Sequence, residues 1–423
     1  MVDLLIKNGL ILTMDESLSI IKGSIAVEDG KIRKVGKNFG GQAEEVLDAE
    51  GKIVMPGLVL PHCHFQNVLQ GLEREEDISP PGWSPFEEFL TREEISTATT
   101  FSCACLLSSG VTFAVNILSL KAISSGLLDE VFTKEEEMGM KGLIAVEIWD
   151  DEEVDGSKAL REEEKLLRKN DSKRIEPLIS VRAYSSDEIL DCVRDLLAER
   201  ENLRLSVRIS KTPAEYYYCR SKTGESPLQR LHRQGLIDGR TVLTHFTYRV
   251  EEEDLKIIRR SEAKIVHTPL DYVYTHTFPA VKSVDEMGIK GSVGMDHPFD
   301  LFEILRMIYL HQRAIGEHIS ASRLLQMVTK EAAELYGIRD IGSIEVGKSA
   351  DLLIVNLPPL RDESIYEHLL WSLTGQRVET VISSGRILKR EGKPCWDELK
   401  VNREFARMMS LLRRKIRHGV AGS

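Results

Sequence analysis

The chain has 423 residues, 42% of them hydrophobic, which is enough for a barrel-sized domain with a smaller second one. Its 67 acidic and 56 basic residues give a formal charge of −11, so we expect a small-molecule partner and no nucleic acid. No apolar stretch reaches the roughly 18 residues of a membrane-spanning helix, and the first residues do not resemble a secretory signal. These features favour a cytoplasmic protein without a membrane partner.

Strand-rich segments occupy both ends of the chain. Residues 1–55 contain short apolar runs joined by turns, and Asp29-Gly30 is a strong hairpin signal. The same pattern returns at 350–356 and 378–388. Two strand-rich ends on either side of a long middle predict one small β domain that is assembled from both termini.

The middle of the chain alternates apolar β-type runs with helical stretches. Thr91 and Glu94 form a capping box at the start of one such helix, and Gly110 is suited to end it. Eight strands separated by helices predict a parallel (β/α)8 barrel. The strand candidates are 54–61, 111–118, 141–149, 175–183, 203–210, 239–246, 263–268 and 291–296.

A His-x-His pair follows the first of these strands. Because side chains alternate along a strand, His62 and His64 share one face and Cys63 points the opposite way. Two imidazoles on one face can chelate a metal, and a (β/α)8 barrel keeps its chemistry at the carboxyl ends of its strands. On these residues alone, half of a metal site and two hydrogen-bonded strand-end histidines fit the pattern equally well.

Further short segments follow in order along the chain: Met55-Pro-Gly-Leu-Val, Pro61-His-Cys-His, Leu107-Ser-Ser-Gly-Val-Thr-Phe, Thr244-His-Phe, Val266-His-Thr-Pro, Gly294-Met-Asp and Gly342-Ser-Ile-Glu-Val-Gly-Lys-Ser-Ala-Asp-Leu. In order and spacing they resemble the amidohydrolase superfamily, in particular its branch of cytosine, adenosylhomocysteine and methylthioadenosine deaminases and triazine chlorohydrolases. The resemblance implies a (β/α)8 TIM barrel over residues 56–341 and a small β-sandwich domain built from 1–55 and 342–423.

The resemblance also implies a metal site. In that family a divalent metal, usually zinc or iron, is held by residues that match His62, His64 and Asp296, and a histidine that matches His245 assists. The aspartate also shuttles a proton. We therefore take all four as candidate metal ligands, and Asp296 and His245 as candidate catalytic residues.

The chain departs from the family at two strands. The fifth strand of the family ends in His-x-x-Glu, a metal ligand and an acid/base, whereas this chain has Arg208-Ile-Ser-Lys211. No histidine lies between His64 and His232, so the site lacks the fifth-strand ligand. Arg182 stands near the position of a substrate-binding histidine at the end of the fourth strand.

These departures leave the state of the metal site open. If Arg208 points at the metal position, its charge repels a divalent ion by roughly 8 kcal/mol at about 4 Å and an effective dielectric near 20, and the site stays empty. If Arg208 swings toward solvent, His62, His64 and Asp296 form a three-ligand site with an open position. Lys211 is either a base with a lowered pKa or a salt-bridge partner of Asp296 or of a nearby glutamate.

The first hypothesis is a metal-dependent hydrolase that cleaves a C–N bond of a small heterocyclic molecule, as a deaminase does. Its catalytic residues would be Asp296, His245 and Lys211. Its substrate-binding residues would be Arg182, Arg208 and His267.

The second hypothesis is a catalytically degenerate barrel that binds an anionic small molecule without metal. The positive charge of Arg182, Arg208 and Lys211 would then replace that of the ion. Under either hypothesis, Trp83 and Phe86 in the loop after the first strand are candidate lid or substrate contacts. We also expect a homodimer, because relatives often form one.

Overall fold

The computed structural model describes most of the chain. The candidate lid residues Trp83 and Phe86 lie outside the described residues. The described residues are 1–37, 40–72, 90–120, 124–151, 154–169, 172, 174–275, 281–298, 300–358, 360 and 364–420.

The strands of the described residues are, in chain order, β1 (Val2–Leu12), β2 (Ile20–Glu28), β3 (Lys31–Gly36), β4 (Ala43–Asp48), β5 (Ile53–Pro56), β6 (Leu58–Cys63), β7 (Val111–Leu118), β8 (Lys141–Ile148), β9 (Ile175–Pro177), β10 (Ile179–Arg182), β11 (Leu205–Ile209), β12 (Thr241–His245), β13 (Lys264–His267), β14 (Gly291–Val293), β15 (Leu352–Val355), β16 (Val378–Ser383), β17 (Arg386–Arg390) and β18 (Lys393–Pro394).

The α-helices of the same residues are α1 (Arg92–Ser108), α2 (Leu127–Met138), α3 (Gly156–Lys169), α4 (Asp187–Glu199), α5 (Pro213–Thr223), α6 (Pro227–Arg233), α7 (Glu252–Ser261), α8 (Pro269–Thr275), α9 (Val281–Glu286), α10 (Leu301–Ala314), α11 (Ala321–Gln326), α12 (Lys330–Leu335), α13 (Ser364–Ser372) and α14 (Glu398–Val420). Short 3₁₀ stretches cover Phe65–Leu72 and Gly375–Arg377.

The two ends of the chain form one sheet, as their strand patterns predict. Its path runs β18-β17-β16-β15-β5-β1-β2-β3, and β4 pairs with β1. Strand β5 joins the two ends, because it runs parallel to β1 and antiparallel to β15, where Met55 pairs with Leu353. The carboxyl-terminal part also contains α13 and α14, helices that the strand pattern did not indicate.

The second sheet is the parallel barrel. Its order is β14-β13-β12-β11-β10-β8-β7-β6, with β9 beside β8. The chain after β14 continues this pairing back to β6, since Met295 N donates to His62 O at 3.1 Å and His64 N donates to Asp296 O at 3.2 Å. The predicted (β/α)8 architecture is therefore confirmed, and the last strand is held against the first at the level of the His-x-His pair.

The barrel and the terminal sheet meet at the amino-terminal ends of the barrel strands. Gly110 follows α1 with φ 98°, and a Cβ there would lie 2.8 Å from the end of the Leu353 side chain, so a larger residue would be strained and would displace that side chain. Nearby, the Lys141 ammonium at the start of β8 lies 2.7 Å from a carboxylate oxygen of Asp351. The terminal sheet thus supports the end of the barrel that is remote from the carboxyl ends of its strands.

Strands β7, β8 and β11 of the barrel are buried along their whole length, as expected for a parallel sheet covered by helices. The start of α1 follows the predicted capping box, because Thr91 N donates to Glu94 Oε2 at 2.7 Å. In the described part of the chain, no helix combines the length and the apolar character needed to cross a membrane.

Candidate metal centre

Four side chains meet at the carboxyl ends of the first, sixth and eighth barrel strands. His62 and His64 come from the end of β6, His245 ends β12, and Asp296 follows β14. All four are buried, and one ligand atom from each lies within 4.8 Å of the others. Cys63 points the opposite way into the apolar core, as strand alternation predicts.

The three histidine side chains converge on one oxygen of the Asp296 carboxylate. Asp296 Oδ1 lies 3.3 Å from His62 Nε2, 4.0 Å from His64 Nε2 and 3.8 Å from His245 Nε2. Within the described residues, Asp296 Oδ1, His245 Nε2 and both ring nitrogens of His62 have no hydrogen-bond partner. Buried polar atoms without partners are costly, and a divalent ion among them would satisfy Asp296 Oδ1, His245 Nε2 and one ring nitrogen of His62 together. This donor set fits zinc.

The outer nitrogens of two rings are held by the surrounding protein. His64 Nδ1 lies 2.5 Å from the Ile117 carbonyl oxygen, and His245 Nδ1 lies 2.7 Å from Asp271 Oδ2. Such partners fix the tautomer that leaves Nε2 as the metal-binding atom. Burial lowers the pKa of His64 to about 3 and also lowers that of His245, so both rings stay neutral, as metal ligands must.

The backbone at the end of β12 is unusual. His245 has φ 70° and the following Phe246 has φ 47°, both in the left-handed region that side chains with a Cβ rarely adopt. Strain of this kind is concentrated at functional sites, where the surrounding structure imposes it. Here it aims the His245 ring at Asp296.

Lys211 forms a buried ion pair with the other oxygen of the same carboxylate. Its Nζ contacts Asp296 Oδ2 directly and lies 3.5 Å from Asp271 Oδ1. Burial lowers the pKa of this lysine, but the two aspartates raise it above its ordinary value, so the group remains an ammonium ion. Of the two sequence-based alternatives, the geometry matches the salt bridge and not the base.

Arg208 is paired with carboxylates inside the protein. It is only 4% exposed, so it does not swing toward solvent. Its Nη2 pairs with Glu215, and its Nη1 lies 3.8 Å from Glu147. The positive charge that would oppose a metal ion is therefore compensated inside the protein, because two carboxylates hold the guanidinium.

Arg182 joins the same network. Its Nε lies 2.7 Å from Glu147 Oε2, its Nη2 donates to Ser119 at 2.8 Å, and its guanidinium stacks 3.9 Å above the Trp149 ring. Burial raises the pKa of Glu147, but Arg182 and Arg208 lower it below its usual range, so Glu147 stays ionised.

The three cations do not form an anion site with surplus positive charge. Each one already contacts at least one carboxylate, and four carboxylates face the three cations: Glu147, Glu215, Asp271 and Asp296. The metal-free anion-binding hypothesis is therefore not favoured.

His267 belongs to a neighbouring cluster. Its Nδ1 lies 2.7 Å from the Tyr272 hydroxyl, and burial lowers its pKa to about 4. It is not one of the four residues that converge on the metal position. Its assignment to the substrate stays a prediction.

Three residues of the site were not predicted from the sequence: Glu147, Glu215 and Asp271. One signal was present for Glu147, since it is a lone carboxylate in the apolar run of β8. Glu215 stands at the third position of α5, where its backbone N–H binds the Thr212 hydroxyl, and resembles an ordinary capping residue. Asp271 gave no local signal.

Comparisons with known proteins show the family of this chain. The model of the amidohydrolase family matches residues 53–388. A 5′-deoxyadenosine deaminase of Methanosarcina mazei is 28% identical over 434 residues, 96% of this chain and 97% of the relative. A 5-methylthioadenosine/S-adenosylhomocysteine deaminase of Pyrococcus furiosus is 28% identical over 418 residues, 92% of this chain and 96% of the relative.

Solved structures show the same fold. An adenosine deaminase from Xanthomonas campestris with bound zinc superposes with a TM-score of 0.88 at 20% identity, covering 98% of this chain and 99% of that one. An atrazine chlorohydrolase from Arthrobacter aurescens in complex with zinc has a TM-score of 0.83 at 19% identity, covering 97% and 100% of the two chains.

Proposed function

The chain belongs to the amidohydrolase family, and we propose that it is a metal-dependent deaminase that removes an amino group from the ring of a small, purine-nucleoside-like molecule. One observation supports this above all: three buried imidazole nitrogens converge on Asp296 Oδ1, an oxygen that has no hydrogen-bond partner among the described residues. The substrate class rests on relatives that are named deaminases of 5′-deoxyadenosine and 5-methylthioadenosine.

His62, His64, His245 and Asp296 would hold the metal. The set contains four candidate ligands although the fifth strand offers no histidine, because His245 of the sixth strand would fill the remaining ligand position. A divalent ion held there supplies Lewis-acid activation of the attacking water. Hydrolysis then adds water at the ring carbon that bears the amino group, breaks the C–N bond and releases ammonia.

Lys211 would act electrostatically in this scheme. Its contact with Asp296 Oδ2 leaves Oδ1 free to face the metal position, and its fixed positive charge would stabilise negative charge that develops on the substrate ring. Arg208 Nε is buried without a hydrogen-bond partner within the described chain, and we assign it to a substrate heteroatom. Arg182 would hold Glu147 in place beside it.

The experiment combines metal analysis with a deaminase assay. Protein purified without chelator is analysed for zinc and iron, and the loss of adenine absorbance is followed with 5′-deoxyadenosine, 5-methylthioadenosine and adenosine. We expect about one metal per chain, and His62→Ala to abolish both metal and turnover. His232→Ala is the matched control, because His232 is exposed on α6. Absence of metal in the wild type after loading with either ion would refute the proposal.

We further propose a cytoplasmic homodimer with no nucleic-acid partner. The acidic net charge of −11 supports the last point. Sedimentation equilibrium tests the dimer directly, and a mass equal to one chain at micromolar concentration would contradict it.

A further inference from the structure

Tyrosines gather at the rim of the barrel where its strands end. Five of the chain's ten tyrosines lie in the segments that follow three neighbouring strands, β10, β11 and β12. Connections at this end of a (β/α)8 barrel form the wall of the substrate site. The five are Tyr184, Tyr216, Tyr217, Tyr218 and Tyr248.

The rings contact one another across the three connections. Tyr184 packs edge-on against Tyr218 with centroids 6.0 Å apart, and Tyr217 packs against Tyr248 at 5.9 Å. The Tyr248 hydroxyl donates to the Tyr217 hydroxyl at 3.2 Å. Tyr217 and Tyr218 remain 48% and 49% exposed, so about half of each ring is available to another molecule.

This aromatic surface is joined to the candidate metal centre. Arg182 Nη1 donates to the Tyr184 hydroxyl at 2.6 Å, which ties the first tyrosine to the network around Glu147. The connection after β12 is fixed to that after β11, because the Thr247 hydroxyl donates to the Lys211 carbonyl oxygen at 2.8 Å. The exposed rings are therefore held in position relative to the buried site.

Two cations lie beside the exposed rings. The Arg249 guanidinium is 5.8 Å from the Tyr217 ring centroid, and the Lys222 ammonium is 5.7 Å from that of Tyr218. Both side chains are exposed, and neither forms an ion pair with a described carboxylate. By contrast, Arg220 on the same helix is paired with Glu251 at 2.9 Å. Two exposed positive charges beside these rings, without an ion-pair partner among the described carboxylates, favour an anionic ligand.

We propose that Tyr184, Tyr217, Tyr218, Tyr248, Lys222 and Arg249, here called the aromatic rim, form a second subsite for the part of the substrate that is remote from the reacting ring. This part carries an anionic group, a phosphate or a carboxylate. The tyrosine faces pack against the sugar or its substituent, and the two cations bind the anion. The proposal rests on the proposed function, which places the reacting ring at the metal centre.

The test compares three ligands: adenosine, which is neutral, adenosine 5′-monophosphate and S-adenosylhomocysteine, which carries a carboxylate. Dissociation constants are measured by calorimetry and KM and kcat by the deaminase assay. In the double variant Lys222→Gln, Arg249→Gln, we expect affinity for at least one anionic ligand to fall about 10-fold and that for adenosine to stay within about 2-fold. The anionic ligand whose affinity falls shows whether the aromatic rim recognises a phosphate or a carboxylate.

Two further variants separate the rim from general effects. Lys256→Gln removes an exposed lysine of α7 that is paired with glutamates, and it should change none of the three affinities. Tyr218→Ala should weaken the anionic ligands, whereas Tyr218→Phe should retain them because the ring face remains. All variants change exposed groups, and their melting temperatures should match the wild type.

The outcomes distinguish this proposal from the proposed function. Turnover of adenosine with equal affinities in wild type and double variant for all three ligands would overturn the rim and leave the deaminase standing. Loss of anion binding in the double variant without turnover of any ligand would support the rim and overturn the deaminase. An equal loss of affinity for adenosine and for both anionic ligands in the double variant would also overturn the rim proposal, because the two cations would then not recognise negative charge.

Discussion

Replacing Lys211 by methionine should raise the affinity of the site for zinc. The ammonium occupies one oxygen of Asp296, and the proposed metal position lies at the other oxygen, which faces His62. Methionine has a similar length and no charge, so the change removes the competing cation while filling the same space. Zinc affinity is measured by competition with a chromophoric chelator, a readout that does not depend on turnover.

The magnitude follows from the geometry. An ammonium on Oδ2 stands about 5 Å from a divalent ion bound at Oδ1, and at an effective dielectric near 20 the two repel by roughly 7 kcal/mol. Changes to groups just outside a metal's ligands typically alter metal affinity by about 10- to 100-fold. This effect is smaller than the calculated repulsion alone would give, because water and side chains relax. We therefore expect Lys211→Met to bind zinc about 10- to 100-fold more tightly.

The same variant should be less stable without metal. Removal of the lysine leaves Asp296 and Asp271 close together in a buried site, at a cost of about 3–5 kcal/mol in the free energy of unfolding. Zinc should recover most of this loss, so that the zinc-induced rise in melting temperature is larger than in the wild type.

A matched control is available at the other end of the barrel. Lys141 is also buried and pairs with Asp351 at 2.7 Å. Lys141→Met should therefore lower stability without changing zinc affinity. If Lys211→Met retains its fold but binds zinc no more tightly than the wild type, the ammonium of Lys211 does not oppose metal binding at Asp296.

Three further predictions concern buried carboxylates. Glu215→Gln removes the closest partner of Arg208, so the free energy of unfolding should fall by about 3 kcal/mol in urea titrations. Zinc affinity should also fall, because the positive charge of Arg208 is then less well compensated. Asp271→Asn removes the anionic partner of His245 Nδ1 and should weaken zinc binding about 10- to 100-fold in the chelator assay. Burial raises the pKa of Glu135 to about 8, so the folded state holds a proton that the unfolded state releases above about pH 4.5. The stability due to this proton is complete below about pH 4.5 and is lost as pH rises through about 8. Glu135→Gln should therefore reduce the difference in the free energy of unfolding between urea titrations at pH 5 and at pH 8.5.

Each of these has a result that would count against it. Glu252→Gln, at an exposed position of α7, is the control for both glutamate variants and should leave stability within about 0.5 kcal/mol. Unchanged zinc affinity in Asp271→Asn would mean that His245 does not depend on its carboxylate partner. An equal pH dependence in wild type and Glu135→Gln would show that Glu135 does not hold a proton in the folded state.

The sequence by itself determined the barrel, the composite terminal sheet and four side chains of the site. These features follow from local patterns: apolar runs that alternate with helices, and short motifs at strand ends. Since the carboxyl ends of parallel strands share one edge, His62, His64, His245 and Asp296 had to meet once the barrel was identified.

Only the tertiary structure decided which charges pair. The sequence showed Arg208 and Lys211 where the family has a ligand and an acid, but it gave no partner for Arg208 and left the Asp296 salt bridge of Lys211 as one of two alternatives. Glu147 comes from β8, Glu215 from α5 and Asp271 from α8, and each reaches its cation across a different connection. Ion pairs of this kind depend on side-chain conformations and on burial, which raises the cost of leaving any one charge alone. The amino-acid sequence does not show this cost, because a charge is buried only after the barrel strands have closed around the site.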